Sequence, residues 1–227
     1  PVAGAVVDVT VTAYDQNDNV VTTDNTTDVV LSSSSTNVVI TPPNPDNLTA
    51  GVVGFQVSDN TAESFTLTAQ SQGDASKTGT SAVIVVDPAA ADNIARISNE
   101  NAVPAGSDKL LRVRVTDAFG NVVAAEAVQF DVTSGAGTLD DAGSAVTTLT
   151  VSTDGSGVAE AVYTTDTDAG ATNQVTAQIV SSPLDIVTFT IPVAPGTISY
   201  YTVIPSTTTP VAGAVVDVTV TAYDQND

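Results

Sequence analysis

The sequence lacks four residue types that carry much of protein chemistry, because its 227 residues include no cysteine, histidine, methionine or tryptophan. Without cysteine and histidine there can be no disulfides, no thiolate or imidazole metal ligands, and no Cys-His or Ser-His-Asp nucleophilic centres. We therefore expect no enzymatic activity. Stability must come from core packing, and hard cations are the remaining means of cross-linking the fold.

Positive charge is also scarce. Five Lys or Arg residues stand against 26 Asp or Glu residues, which gives a formal net charge of −21. Such a surface repels nucleic acid and anionic membranes, so we expect neither as a direct partner, and it attracts divalent cations. Aromatic residues make up only 4% of the chain. Few stacking platforms are therefore left for sugars, and a lectin-like binding module ranks low.

Long apolar runs are absent as well. Hydrophobic residues reach 42%, which is enough for packed cores and too much for a disordered acidic tail. No apolar run approaches the ~20 residues that a membrane-spanning helix needs, so we expect no direct membrane insertion. The sequence begins at Pro1 without an initiator Met, and we expect any secretion signal to lie outside these residues.

What the sequence does contain is a repeat. Residues 1–18 and residues 210–227 both read PVAGAVVDVTVTAYDQND, and 210 − 1 gives a period of 209 residues. We expect the parent protein to carry near-identical copies of this unit. A weaker likeness between Ile94–Asn121 and Ile198–Asn226 divides the unit into two related domains of about 105 residues, a typical β-sandwich size.

Alternating apolar and polar residues predict strands throughout the chain. Clusters rich in Asp, Asn, Gly, Pro and Ser separate these runs, and no segment has a helical period or helix caps. The predicted strands lie near 5–13, 27–33, 37–41, 52–58, 64–70 and 81–87, and then near 94–98, 109–116, 126–133, 145–153, 158–164, 174–180 and 186–193. The predicted fold class is all-β, with tandem immunoglobulin-like antiparallel β-sandwiches of about seven strands each.

The two repeats predict three segments. Residues 1–91 form domain one, which lacks its own first strand, and residues 92–195 form a complete domain two. Residues 196–227 hold the first strands of the next repeat, and the strand that domain one lacks has its equivalent within 197–209. An isolated piece of sandwich this short should not fold alone. It is therefore either cut from a longer array or completes a neighbouring molecule by strand addition.

Several segments of domain two resemble the bacterial Ig-like domains of invasin and intimin. They are Asp117–Val123 (DAFGNVV), Val128–Leu139 (VQFDVTSGAGTL), Thr153–Ala159 (TDGSGVA) and Val175–Ala177 (VTA). Domain one matches less well, since its Pro42–Asp46 stretch departs from the pattern. The resemblance implies an extracellular stalk at the bacterial cell surface. Near-identical tandem copies resemble those of the giant repetitive adhesins of biofilm-forming bacteria, so the expected partners are neighbouring repeats of the same protein. The resemblance also implies that the chain is not an enzyme, because this domain family is not enzymatic.

Asp residues in turns form the candidate sites. Turns that share one end of a sandwich, together with the join between the domains, would bring carboxylates close together, and Ca²⁺ takes six to eight such oxygen ligands. The candidate metal residues are Asp15, Asp18, Asp87, Asp92, Asp117, Asp154, Asp166, Asp168 and Asp185. The alternative is that Asp occupies turns because it caps and bends the backbone, and this explains each residue alone.

The sequence therefore predicts a structural extender that projects a terminal binding domain from the bacterial surface. The alternative is the subunit of an extracellular filament or sheath, a homopolymer assembled by strand complementation through residues 196–227. No cofactor is expected apart from Ca²⁺.

Overall fold

The computed structural model describes residues 1–183 and 185–226. All regular secondary structure in this part of the chain is strand, which confirms the predicted all-β class. Within these same ranges no helix is long and apolar enough to span a bilayer. The chain divides into two compact units. The first is Pro1–Ala90 with Thr116–Val123, and the second is Ala91–Val115 with Ala124–Asp227.

The first unit is a sandwich of two small antiparallel sheets. Its strands are β1 (Val6–Thr12), β2 (Asp28–Ser33), β3 (Val39–Thr41), β4 (Asp46–Asn47), β5 (Val52–Ser58), β6 (Ser64–Phe65), β7 (Leu67–Ser71), β8 (Thr78–Thr80) and β9 (Ile84–Val85). The sheets have the orders β1-β5-β3 and β4-β2-β7-β8, and β6 pairs with β9. Alternate residues of β5, namely Val53, Phe55 and Val57, are buried between the sheets.

The second unit contains two five-stranded sheets and a hairpin. Its strands are β10 (Ala91–Arg96), β11 (Val103–Pro104), β12 (Asp108–Asp117), β13 (Ala127–Ser134), β14 (Thr138–Asp141), β15 (Ser144–Val146), β16 (Thr148–Ser152), β17 (Val158–Thr164), β18 (Thr172–Ile179), β19 (Ile186–Ala194), β20 (Tyr200–Pro205) and β21 (Val218–Tyr223). The last two residues of β12 belong to the first unit. The sheet orders are β10-β12-β17-β14-β15 and β11-β19-β18-β13-β16, and β20 pairs with β21. Leu111, Val113 and Val115 of β12 are fully buried.

Three predicted strands are interrupted. The predicted strand 64–70 is split at Thr66, because β6 pairs with β9 while β7 pairs with β2 and β8. The predicted strand 145–153 is split at Thr147, because β15 pairs with β14 while β16 pairs with β13 in the other sheet. The predicted strand 81–87 was wrong over most of its length. Ser81 explains the break, since its hydroxyl accepts the N–H of Leu67 at 3.0 Å in place of a backbone carbonyl.

The strand β1 lies at the edge of its sheet, whereas β12, which follows the same sequence pattern, lies between β10 and β17. β21 lies in the second copy of the sequence of residues 1–18, and it pairs with β20 from Tyr200↔Tyr223 to Pro205↔Val218. The boundaries 1–91, 92–195 and 196–227 stay a prediction, and position 227 lies outside the described residues.

Candidate functional site

Asp117, at the end of β12, is the most deeply buried of the predicted site residues, with 2% of its surface exposed. Its Oδ1 accepts the backbone N–H groups of Phe119 and Asn121, both at 2.9 Å. Its Oδ2 accepts the backbone N–H of Ala89 and the Asn121 side-chain amide, also at 2.9 Å. The carboxylate therefore closes its own turn with one oxygen and holds a distant segment of the first unit with the other.

The turn forms because its residues suit it. Asp accepts N–H groups two and four residues ahead, and Gly120 adopts a φ of +90°, which side chains other than glycine rarely tolerate. The Asn121 side chain extends the contact, since its amide donates to Asn60 O at 2.8 Å and its Oδ1 accepts the Ala62 N–H at 2.9 Å.

The hydrogen bonds of Asp117 also set its protonation. Burial raises the pKa of this carboxyl, but the hydrogen bonds from Asn121, Ala89 and Phe119 outweigh it and leave the pKa below its usual value. Hydrogen bonds to the charged form stabilise that form. Asp117 is therefore ionised at neutral pH, despite its burial.

Asp224 makes an equivalent contact in the second unit and is 5% exposed. Its Oδ1 accepts the N–H of Asn226 at 2.8 Å, and its Oδ2 accepts the N–H of Gly196 at 2.6 Å. The Asn226 side-chain amide donates to Ala105 O at 3.3 Å. These hydrogen bonds from Asn226 and Gly196 lower the pKa of Asp224.

The other predicted site residues lie in separate turns and strand ends. Asp15 accepts N–H groups of Asn17 and Asn19, and Asp154 accepts those of Ser156 and Val158. Asp166 accepts N–H groups of Asp168 and Ala136, and Asp185 accepts that of Ile94. Asp18 is exposed in the Asp15 turn with a φ of 62°. Asp87 and Asp92 are exposed, the first beside Pro1 and the second in β10.

The structure brings together Asp15 with Asp18 and Asp166 with Asp168, which share turns. Nowhere in residues 1–183 and 185–226 do three or more acidic side chains gather as a group that could hold a metal ion. Among the predicted site residues, the carboxylates of Asp15, Asp117, Asp154, Asp166 and Asp185 accept N–H groups. The calcium site stays a prediction.

Three residues of these contacts were missed in the sequence: Asp224, Asn121 and Asn226. A signal for Asp224 was present, because Asp224-Gln-Asn repeats Asp15-Gln-Asn at the 209-residue period. The two Asn residues carry no distinguishing signal, since Asn is common in turns for local reasons.

Comparison with known proteins identifies the fold. No family model matches the chain, and no curated protein matches it. Among solved structures, the chain is similar to FdeC, an Escherichia coli adhesin, with a TM-score of 0.59 and 19% identity over 100% of this chain and 71% of that chain. It also matches invasin, a bacterial integrin-binding protein, with a TM-score of 0.49 and 15% identity over 99% and 44% of the two chains.

The match to FdeC shows the fold, and at its sequence identity it shows nothing more. The match to invasin, with a TM-score of 0.49, adds nothing to this conclusion. The chain therefore has the β-sandwich fold that the adhesin FdeC also has, which confirms the predicted fold class.

Proposed function

We propose that this chain is a non-catalytic extender module of a repetitive bacterial surface adhesin. The observation that carries the proposal is the return of an 18-residue sequence after 209 residues in a chain with an adhesin-type sandwich fold. The recurrence of the whole 209-residue unit is part of this proposal, and a unit that recurs adds length without adding new chemistry. Sandwich units in series are suited to hold a terminal binding domain away from a cell.

The charge of the chain supports this role outside the cell. A net charge of −21 keeps a long array soluble and opposes sideways association between neighbouring arrays. The partners of the module are then the neighbouring repeats of the same protein.

The proposal is tested on a bacterial surface. Proteins with one, two or four copies of residues 1–209 between a membrane anchor and a terminal epitope are displayed, and the distance of the epitope from the membrane is measured by immunogold electron microscopy. The distance should grow in proportion to the number of copies. A distance that does not depend on copy number would rule out the extender role.

A second candidate function is a filament subunit joined by strand complementation. It is favoured by the exposed apolar residues of the β20–β21 hairpin, among them Val203 and Ile204, each 63% exposed, and by the edge position of β1. A β20 strand from another molecule would extend the β1 sheet and cover apolar surface.

Sedimentation of the full chain over a range of concentrations distinguishes the two functions. A filament subunit assembles as its concentration rises, and a Thr202→Pro variant, which removes a backbone donor from β20, should not assemble. A chain that remains monomeric at millimolar concentration contradicts the filament function and leaves the extender function standing.

A further inference from the structure

The Asp117 and Asp224 turns make the same long-range hydrogen bond. In each case the Asp Oδ2 accepts the backbone N–H of a residue 28 positions earlier, Ala89 for Asp117 and Gly196 for Asp224. Each donor directly follows a proline. We call Asp117–Asn121 and Asp224–Asn226 the docking turns.

The surfaces that receive the docking turns are also alike. Each contains an Ala-Gly pair, Ala3-Gly4 in the first unit and Ala105-Gly106 in the second, and both glycines have a positive φ. The matching backbone hydrogen bonds are Ala3 N to Asp87 O, Gly4 N to Asp59 O, Ala105 N to Ala194 O, and Gly106 N to Asp166 O. We call each Ala-Gly pair, together with the residue after the proline, a platform.

The third residue of each docking turn lies over the glycine of its platform. A Cβ on Gly4 would lie 2.5 Å from the Phe119 ring, and a Cβ on Gly106 would lie 3.8 Å from Asn226 Oδ1. Phe119 and Asn226 are both two positions after the docking Asp. The third residue of each docking turn therefore neighbours the glycine of its platform, closely for Phe119 and at ordinary van der Waals distance for Asn226, where Thr167 is nearer at 3.6 Å.

A third turn of this type has an exposed Asp. Asp15 Oδ1 accepts the N–H groups of Asn17 and Asn19 at 2.8 and 3.0 Å, which is the pattern of Asp117 Oδ1. The Asn19 side-chain amide donates to Asp15 Oδ2 at 3.1 Å, as that of Asn121 does to Asp117. Asp15 is exposed, whereas Asp224, its copy in an identical sequence, is buried.

We propose that in a tandem array the Asp15–Asn19 turn of one 209-residue repeat docks onto the platform Ala105, Gly106 and Gly196 of the repeat before it, in the place that the Asp224 turn takes in this chain. This inference rests on the proposed function, because it requires copies in series. Oδ2 of Asp15 would accept the Gly196 N–H of the other copy, and the Asn17 amide would donate to its Ala105 carbonyl. The residue 28 positions before Asp15 in a 209-residue repeat is Gly196, since 15 − 28 + 209 = 196.

The docked turn also explains why a small residue, Gly196, stands on the platform. A Cβ on Gly196 would lie 3.1 Å from Asp224 Oδ2, tighter than ordinary van der Waals contact, so the carboxylate approaches the backbone closely where glycine stands. A charged acceptor at such an N–H forms a stronger hydrogen bond than a neutral one. The docked turn would therefore fix the direction in which one copy follows another.

A tandem protein tests the proposal. Residues 1–209 are placed directly before the full chain, so that Asp15 of the second copy follows Gly196 of the first. Hydrogen exchange of the Gly196 amide of the first copy is followed by NMR. The amide should be protected, and Asp15→Asn in the second copy should accelerate its exchange about tenfold or more, because the Nδ2 donor of asparagine can replace the Oδ2 acceptor.

The matched control is Asp18→Asn in the second copy, which removes the same charge from the same turn. It should leave Gly196 protected, and exchange of the Val21 N–H, which donates to Ala13 O, shows whether the turn itself stays folded in either variant. Equal exchange of Gly196 in the two variants, or an unprotected Gly196 in the unsubstituted tandem, overturns the docking proposal.

Failure of this proposal is distinguishable from failure of the proposed function. X-ray scattering of the same tandem measures its maximum dimension. An extended tandem with an unprotected Gly196 contradicts the docking turn alone, whereas a collapsed tandem with a protected Gly196 contradicts the extender role and retains the contact.

Discussion

Replacing Asp117 should destabilise the protein more than replacing any other turn aspartate. The side chain is 2% exposed and accepts hydrogen bonds from three backbone N–H groups and the Asn121 amide. Asp117→Ala removes the acceptor and leaves these donors in a buried site, where an unsatisfied donor costs about 1–3 kcal/mol. Because water can reach some of them once the side chain is gone, we expect a loss of about 3 kcal/mol in the free energy of unfolding.

Urea denaturation followed by circular dichroism measures this loss. With a slope of about 1–3 kcal/mol per molar urea, the midpoint should fall by about 1–3 M. Asp117→Asn should lose less than Asp117→Ala, because it keeps the Oδ1 acceptor for Phe119 and Asn121 and loses the acceptor for Ala89.

Asp154→Ala is the matched control. Asp154 is exposed and, like Asp117, accepts two N–H groups of its own turn through Oδ1, those of Ser156 and Val158. Its replacement should have a much smaller effect. Equal midpoints for Asp117→Ala and Asp154→Ala would refute the reasoning, because they would mean that the bond to Ala89 and the burial contribute nothing.

Three further measurements follow. The pKa of Asp117 lies below its usual value. The unsubstituted protein should therefore exceed Asp117→Asn in free energy of unfolding by a constant amount above about pH 5, and this difference should shrink as the pH falls below the pKa of Asp in the unfolded chain, about 3.9. A difference that stays constant down to pH 2 would contradict this. Burial, with the nearby Asp166 charge, raises the pKa of Tyr163 to about 12, so the free energy of unfolding should fall as the pH rises from about 10 to 12. Tyr163→Phe removes the 2.6 Å hydrogen bond to Asn173 Oδ1, which should cost about 1 kcal/mol at pH 7 and flatten this fall. An alkaline profile that the substitution leaves unchanged would contradict this prediction. The calcium site predicted from the sequence should raise the melting midpoint in CaCl₂ relative to EDTA at physiological salt, and equal midpoints would exclude it.

Strand positions could be predicted from the sequence where one face of a strand is buried. The predicted strand 52–58 is β5, Val52–Ser58, because alternating residues there point into the core and outward. Prediction failed at Thr147, where the chain passes from one sheet to the other. Only the second half has a buried residue, Leu149, whereas β15 is exposed or half-buried throughout, and the sequence carries no sign of the break.

The candidate site was partly predictable for a related reason. Asp117 was identified because the Asp-Ala-Phe-Gly-Asn turn has a local signature. Its partner Ala89 lies 28 residues away and contributes only a backbone N–H, which every residue except proline possesses. A sequence cannot distinguish a carboxylate that accepts a backbone N–H from one that binds a cation. Asp117 could therefore be interpreted either as a turn residue or as a calcium ligand.

The extender role is tested most directly by the length that each copy adds in solution. Proteins with one, two and three copies of residues 1–209, each ending in residues 210–227, are compared by small-angle X-ray scattering. A strand of about 8 residues spans about 27 Å, so a sandwich with its loops should advance the chain by roughly 35–45 Å and each two-sandwich copy by roughly 70–90 Å. The account predicts a maximum dimension that rises linearly by this amount per copy, and a dimension that rises by much less with each added copy would contradict it.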